Sequence, residues 1–183
     1  MSRRATLHGQ LLDQAQHLAK RDRTKPQQGN LRRAVSSAYY GLFHLLVSEA
    51  ASSFFTAKGT NADRIRESFA RCLGHGPMKE VCLLFCGQSA GWPKWLEPIM
   101  GPAGAVPPEL SRVARAFFEL QEARHAADYD TSRGFSRREV LTLVGQASAA
   151  EKDWLKVRKQ EAATIFLLAL TLPALNAFQK RVP

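Results

Sequence analysis

The sequence predicts an all-α protein, a helical bundle, from three observations. Apolar residues recur at three- and four-residue steps in segment after segment, the signature of amphipathic helices. No stretch alternates apolar and polar residues as a half-buried strand would. The stretch Leu31 to Ala51 carries two faces, neither of them suited to water. Val35, Tyr39, Leu42, Leu46 and Ala50 make one apolar stripe, widened by Phe43 and Val47. Ser37, Tyr40, Gly41, His44 and Ser48 make a second face that is small, aromatic and polar. A solvated face normally carries Lys and Glu, so this one meets another surface. Two covered faces make it the central helix.

Taken in order, Leu7, Leu11, Leu12, Ala15, Leu18 and Ala19 define a first amphipathic helix that closes on Lys20, Arg21 and Arg23, cations suited to a helix C-terminus. Pro26 and Gly29 break the chain, and the central helix is expected to begin near Asn30 as N-cap and to end by Gly59. Thr60 or Asn61 can cap a third helix with Ile65, Phe69 and Leu73 apolar, and Pro77 can open a fourth through Val81, Leu84 and Phe85. Residues 87–108 show no period and read as a long irregular insertion, which Trp92, Trp95, Leu96, Ile99 and Met100 would pin in place. Pro108 opens the next helix, with Leu110, Val113, Ala114, Phe117 and Leu120 buried. Ser136-Arg-Arg-Glu139 is a capping box with Phe135 and Val140 as its staple, so a last helix is expected from there to about Pro173.

The chain's 183 residues fit one domain, 1–183. Its most apolar run, Ile165 to Leu172, is too short to cross a bilayer, and Met-Ser-Arg-Arg-Ala is not the start of a signal peptide. Three cysteines, an odd number, favour a reducing compartment, so the protein reads as cytoplasmic with no membrane contact. The 26 Lys+Arg against 16 Asp+Glu leave +10, clustered at Lys20–Lys25, Arg32-Arg33, Arg64, Arg66, Arg133, Arg137 and Arg138. Such clusters attract polyanions, with RNA or a nucleotide as the leading class.

Arg124 and Asp128 lie four residues apart at the end of the Val113–Leu120 stripe. The pair reads either as an ion pair fixing the turn or as a phosphate-binding cation oriented by a carboxylate, with Tyr129 supplying a hydroxyl. Tyr40, Arg133 and Arg137 complete the candidate binding set. Cys72, His75, Cys82 and Cys86 approach metal-ligand spacing, but Cys82 and Cys86 flank Leu83-Leu84-Phe85 as core cysteines do. No metal site and no cofactor is expected, and no phosphate-cradling glycine loop or nucleophile elbow is present.

Ala34-Val-Ser-Ser-Ala-Tyr-Tyr-Gly-Leu-Phe-His44, His75-Gly76 before Leu84-Phe85, Pro108-Glu109-Leu110 and Arg124-x-x-Ala-Asp-Tyr-Asp130 together resemble the HEPN domain superfamily over about residues 30–170. The resemblance implies an up-down bundle of four to five helices, commonly a homodimer. It also implies an RNA-binding or RNA-cutting role, or pairing with a small nucleotidyltransferase in a toxin–antitoxin or defence system. Ribonuclease members carry a histidine four to six residues beyond the arginine. Here Tyr129, Asp130 and Thr131 follow Arg124 at four to six intervening residues, and none is histidine. Catalysis would then fall to Arg124 with His44 or His125, since cutting RNA needs a proton carrier near neutral pH. A binding or partner module is the favoured reading, with a metal-independent endoribonuclease or a structural dimerisation module as alternatives.

Overall fold

A computed structural model of the chain describes residues 6–22, 24–89, 91–100 and 106–179, with side chains through Leu172. Expectations resting on residues 1–5, Arg23, Gly101, Pro102 and Gly104 lie outside the described residues. Eight helices form: α1 (Leu7–Lys20), α2 (Gln28–Phe54), α3 (Thr60–Ala70), α4 (His75–Phe85), α5 (Glu97–Met100), α6 (Pro108–Tyr129), α7 (Arg137–Val157) and α8 (Glu161–Gln179). No strand occurs among the described residues, and the protein is an all-α helical bundle.

Contacts group the chain into two units, Met1–Leu45 with Ala116–Asp153, and Leu46–Arg115 with Trp154–Pro183. The first unit contains α1, the start of α2, the end of α6 and most of α7. Tyr39, Leu42, Phe117, Leu120 and Val140 are fully buried in it. The Tyr39 ring lies 5.5 Å from Phe117 and 6.1 Å from Phe43. Each such side chain contributes about 1.5–3 kcal/mol by leaving water. Thr6, not anticipated from the sequence, caps α1 by accepting the Gly9 N–H at 3.3 Å.

Helix α2 buries its apolar stripe, with Val35, Tyr39, Leu42 and Leu46 fully buried together with Ala34 and Ala38. On its second face Ser37 and Gly41 are buried, Tyr40 and His44 half-buried and Ser48 exposed. Part of the uncharged face is covered within the chain. Ser37 donates to Gln14 of α1 at 3.3 Å, and a Cβ on Gly41 would stand 2.7 Å from Leu12. Asn30 does not cap α2. Asp22 reaches the helix start, accepting from the Asn30 amide at 2.9 Å and the Gln27 N–H at 3.0 Å, which hold its carboxyl below the usual range.

In the second unit α4 packs on α8, with Phe85 edge-on to Phe166 at 4.9 Å and to Trp92 at 5.1 Å. Trp92, together with buried Leu96 and Met100, pins the insertion, which also contains the one-turn α5. Trp95 and Ile99 point outward. Neither Thr60 nor Asn61 caps α3; Gly59 holds that position at φ 109°, with no side-chain cap.

The single helix expected from Ser136 to Pro173 is two. Its stripe fails after Val157, because the next positions in phase, Gln160, Glu161 and Thr164, are polar. The chain turns at Arg158–Gln160 and starts a new stripe through Ala163, Phe166, Leu167 and Leu170. At the other end of α7 half of the capping box is in place, with Ser136 Oγ accepting the Glu139 N–H at 3.2 Å beside buried Phe135 and Val140, while the Glu139 carboxylate turns to Arg133.

Candidate functional site

Four polar residues of α2 stand four apart, Gln28, Arg32, Ser36 and Tyr40, and a helix puts such a series on one line. All four engage the end of α6 and the turn after it, in antiparallel order. Tyr40 Oη accepts from Arg124 Nη2 at 3.0 Å. Ser36 Oγ donates to Asp128 Oδ1 at 2.7 Å. Arg32 donates to the carbonyls of Ala127 and Asp130 at 2.8 Å each, and to that of Arg133. The Gln28 amide exchanges two hydrogen bonds with the Phe135 backbone, both 2.8 Å. The last four carbonyls of a helix lack partners within it, and Arg32 supplies one to Ala127 in the last turn of α6.

Arg124 is therefore held from two helices. Its Nε lies 2.6 Å from Asp128 Oδ2, close in distance although the N–H is not aimed along the contact. Its guanidinium carbon sits 5.5 Å from the Tyr40 ring centre and 5.6 Å from that of Tyr129. Burial pulls its pKa down, but Tyr40, Asp128 and Tyr129 outweigh that and raise it above its ordinary value, so the cation is permanent. The Arg124 and Asp128 side chains are 17% and 23% exposed, whereas Tyr129 is 65% exposed. Nη1 of Arg124 makes no hydrogen bond among the described residues. The arrangement offers one fixed guanidinium edge beneath an exposed aromatic ring, groups that suit a phosphate and a stacked base.

No histidine bonds Arg124 among the described residues. The His44 ring lies 6.3 Å from that of Tyr40, and burial, with His8 nearby, lowers its pKa. The His125 ring lies 5.0 Å from that of Tyr129, so Arg124 and His125 flank the same ring.

The basic cluster divides by function. Arg32 is engaged with carbonyls, and Arg133 pairs with Glu139 at 2.7 Å while facing the Phe135 ring at 4.8 Å. Arg137 has Nε and Nη2 buried, which withdraws most of its fork from solvent. Arg33 and Arg138 are exposed and make no side-chain bond among the described residues, which leaves them free for a polyanion. Asp130 closes the turn by accepting the Ser132 hydroxyl at 2.6 Å and the N–H groups of Ser132 and Arg133, which hold its carboxyl below the usual range. An open pocket of about 580 Å³ lies at this corner, lined by Gln28, Arg32, Asp128, Thr131, Arg133 and Gly134 among others.

The sequence pattern singles out Arg124, Asp128, Tyr129 and Tyr40, and the fold brings all four together. Ser36 and Gln28 escape it, and Arg32 is singled out only as part of a basic cluster, not as a tie to the end of α6. The signal for all three is the four-residue spacing that continues the line of Tyr40 toward the helix start. Cys72 is exposed, whereas Cys82 and Cys86 are buried in and just after α4, where burial raises the Cys82 thiol pKa well above its ordinary value. No cluster of three or more His, Cys, Asp or Glu fit to hold a metal forms among the described residues. No described helix is long and apolar enough to cross a membrane. No known protein family, curated protein or solved structure matches this chain.

Proposed function

We propose that the chain is a HEPN-like, cytoplasmic module that binds RNA or a nucleotide as a component of a toxin–antitoxin or defence system. In this reading it acts as a homodimer, a nucleotidyltransferase is its protein partner, and catalysis is weak or absent. One observation carries the binding site: Arg124, fixed by Tyr40 at 3.0 Å and Asp128 at 2.6 Å, lies under the 65% exposed ring of Tyr129. A permanent cation and an open aromatic face are what a phosphate and its base require. Exposed Arg33 and Arg138 add sequence-independent attraction.

A second reading, a metal-independent endoribonuclease, is favoured by the His125 ring lying 5.0 Å from that of Tyr129, which sets an imidazole beside the ring that Arg124 faces. One titration separates the readings. Wild type and Arg124→Ala are compared for binding of a single-stranded RNA and of ATP, at two salt concentrations, and the RNA is then checked for cleavage. The expected result is binding that weakens steeply with salt and weakens further in Arg124→Ala, with the RNA intact. Cleavage lost in His125→Ala would favour the ribonuclease. Equal affinity of both proteins for both ligands removes the site and leaves a structural ion pair.

A further inference from the structure

Helix α3 is lightly held. An eleven-residue helix is marginal on its own, and of these eleven residues only Ala62 is buried. Its main tie is Arg66, which donates to the carbonyls of Phe55 at 2.7 Å and Ala57 at 2.8 Å and to Asp63 at 2.6 Å. The Phe69 ring packs on Phe54 at 6.1 Å and Phe55 at 5.2 Å. What remains is an apolar edge open to solvent, with Ile65 42% and Phe54 38% exposed.

Cations border that edge. Lys58, Arg64 and Arg71 are exposed and make no side-chain hydrogen bond or ion pair among the described residues. Arg64 of α3 and Arg71, the helical residue that caps its end, stand seven apart and so share one line. Of the acids, Asp63 is engaged by Arg66, and Glu67 alone remains.

From this juxtaposition we infer that the edge formed by Ile65, Phe69 and Phe54 is the docking site for an acidic amphipathic helix of a protein partner. The occupant follows from shape and charge. Ile65 and Phe69 stand four apart, with Phe54 packed beside Phe69, a narrow seam that suits a helix–helix contact, whereas a helix lying on a membrane needs a broader apolar face. A second copy seated on this edge would bring its own Lys58, Arg64 and Arg71 against these cations. An acidic helix meets Lys58, Arg64 and Arg71 with opposite charge and covers the apolar edge.

The test uses the full chain and a labelled synthetic helix with leucines at a and d positions and glutamates elsewhere, together with a twin carrying lysines for the glutamates. The glutamate helix should bind about tenfold more tightly than its twin, and Ile65→Asp or Phe54→Ser should each weaken it by about tenfold. Because Ile65 and Phe54 are already exposed, circular dichroism should show both variants folded. The double variant Arg64→Glu with Arg71→Glu leaves the apolar edge intact and should reverse the preference toward the lysine helix. Equal binding of the two helices, no loss in Ile65→Asp, or no reversal in the charge variant overturns the inference. So does Ile65-dependent binding to phosphatidylserine vesicles without helix binding, which would assign the edge to a lipid surface. Ile65-dependent self-association in light scattering would likewise assign it to a second copy.

Discussion

The Ser36 hydroxyl donates to Asp128 across 2.7 Å, while the other oxygen of that carboxylate lies 2.6 Å from Arg124. The central helix therefore sets where the arginine points, through one carboxylate held on both sides. Removing the carboxylate leaves a guanidinium only 17% exposed without its counter-ion. Asp128→Ala should cost about 1–2 kcal/mol, less than the 3–5 of a fully buried pair because solvent still reaches this one. Ser36→Ala, which removes one hydrogen bond and leaves the charge pair, should cost about 1 kcal/mol. Urea midpoints check both, and equal midpoints for wild type and Asp128→Ala would show that this carboxylate does not tie α2 to α6.

Arg32 presents a second case. Its fork closes on three backbone carbonyls at the end of α6 and in the following turn. Arg32→Ala should destabilise by about 1.5–3 kcal/mol, the range for hydrogen bonds to a charged group. Arg32→Lys should recover little, because an ammonium cannot reproduce a planar fork. Limited trypsin digestion at Arg133 is the sharper readout, since the turn loses its tie. Unchanged digestion of Arg32→Ala would show that Asp130 alone closes the turn.

His44 predicts a pH dependence. Burial, then the nearby His8, holds its pKa below the ordinary 6.5. Below 6.5 the unfolded chain takes up a proton that the folded His44 refuses until lower pH, so the unfolded state binds more protons in that window. Its contribution to stability is complete above 6.5 and is lost as pH falls through the window toward the lowered value. Urea midpoints near neutrality and at about one unit below the ordinary histidine value should separate in wild type and draw together in His44→Gln. Identical pH slopes for the two proteins would remove His44 as the cause.

The bundle was legible because burial imposes a period. Val35, Tyr39, Leu42 and Leu46 form a stripe in the sequence and a fully buried stripe in the fold. The same reasoning overran at Val157, where counting apolar residues hides a loss of phase that only the polar identities of Gln160, Glu161 and Thr164 reveal. At the site, Arg124 and Asp128 stand out because they are four apart on one helix. Their partners on α2 are 84 and 92 residues away, and no local spacing encodes a contact of that range. Gly41 shows the same limit. Its lack of a side chain signals a close approach, but only the fold identifies the approaching surface as Leu12 and the His8 carbonyl of α1.

That approach makes the last prediction one of opposite signs. A Cβ on Gly41 would stand 2.7 Å from Leu12 Cδ2 and 3.3 Å from the His8 carbonyl, and Leu12 is only 1% exposed, with little room to swing aside. Gly41→Ala gains about 1 kcal/mol of helix propensity but incurs about 1–3 kcal/mol of overpacking, so it should destabilise. Gly145, exposed within α7, has nothing within 4 Å of such a Cβ, and Gly145→Ala should stabilise by about 0.5–1 kcal/mol. Leu12→Ala lowers stability through its own cavity, yet in that background Gly41→Ala should turn from harmful to helpful because the clash is gone. Urea midpoints of the two single variants at these positions, their double and wild type close the cycle. If Gly41→Ala keeps the same sign with and without Leu12, the contact between α1 and α2 does not set the requirement for glycine.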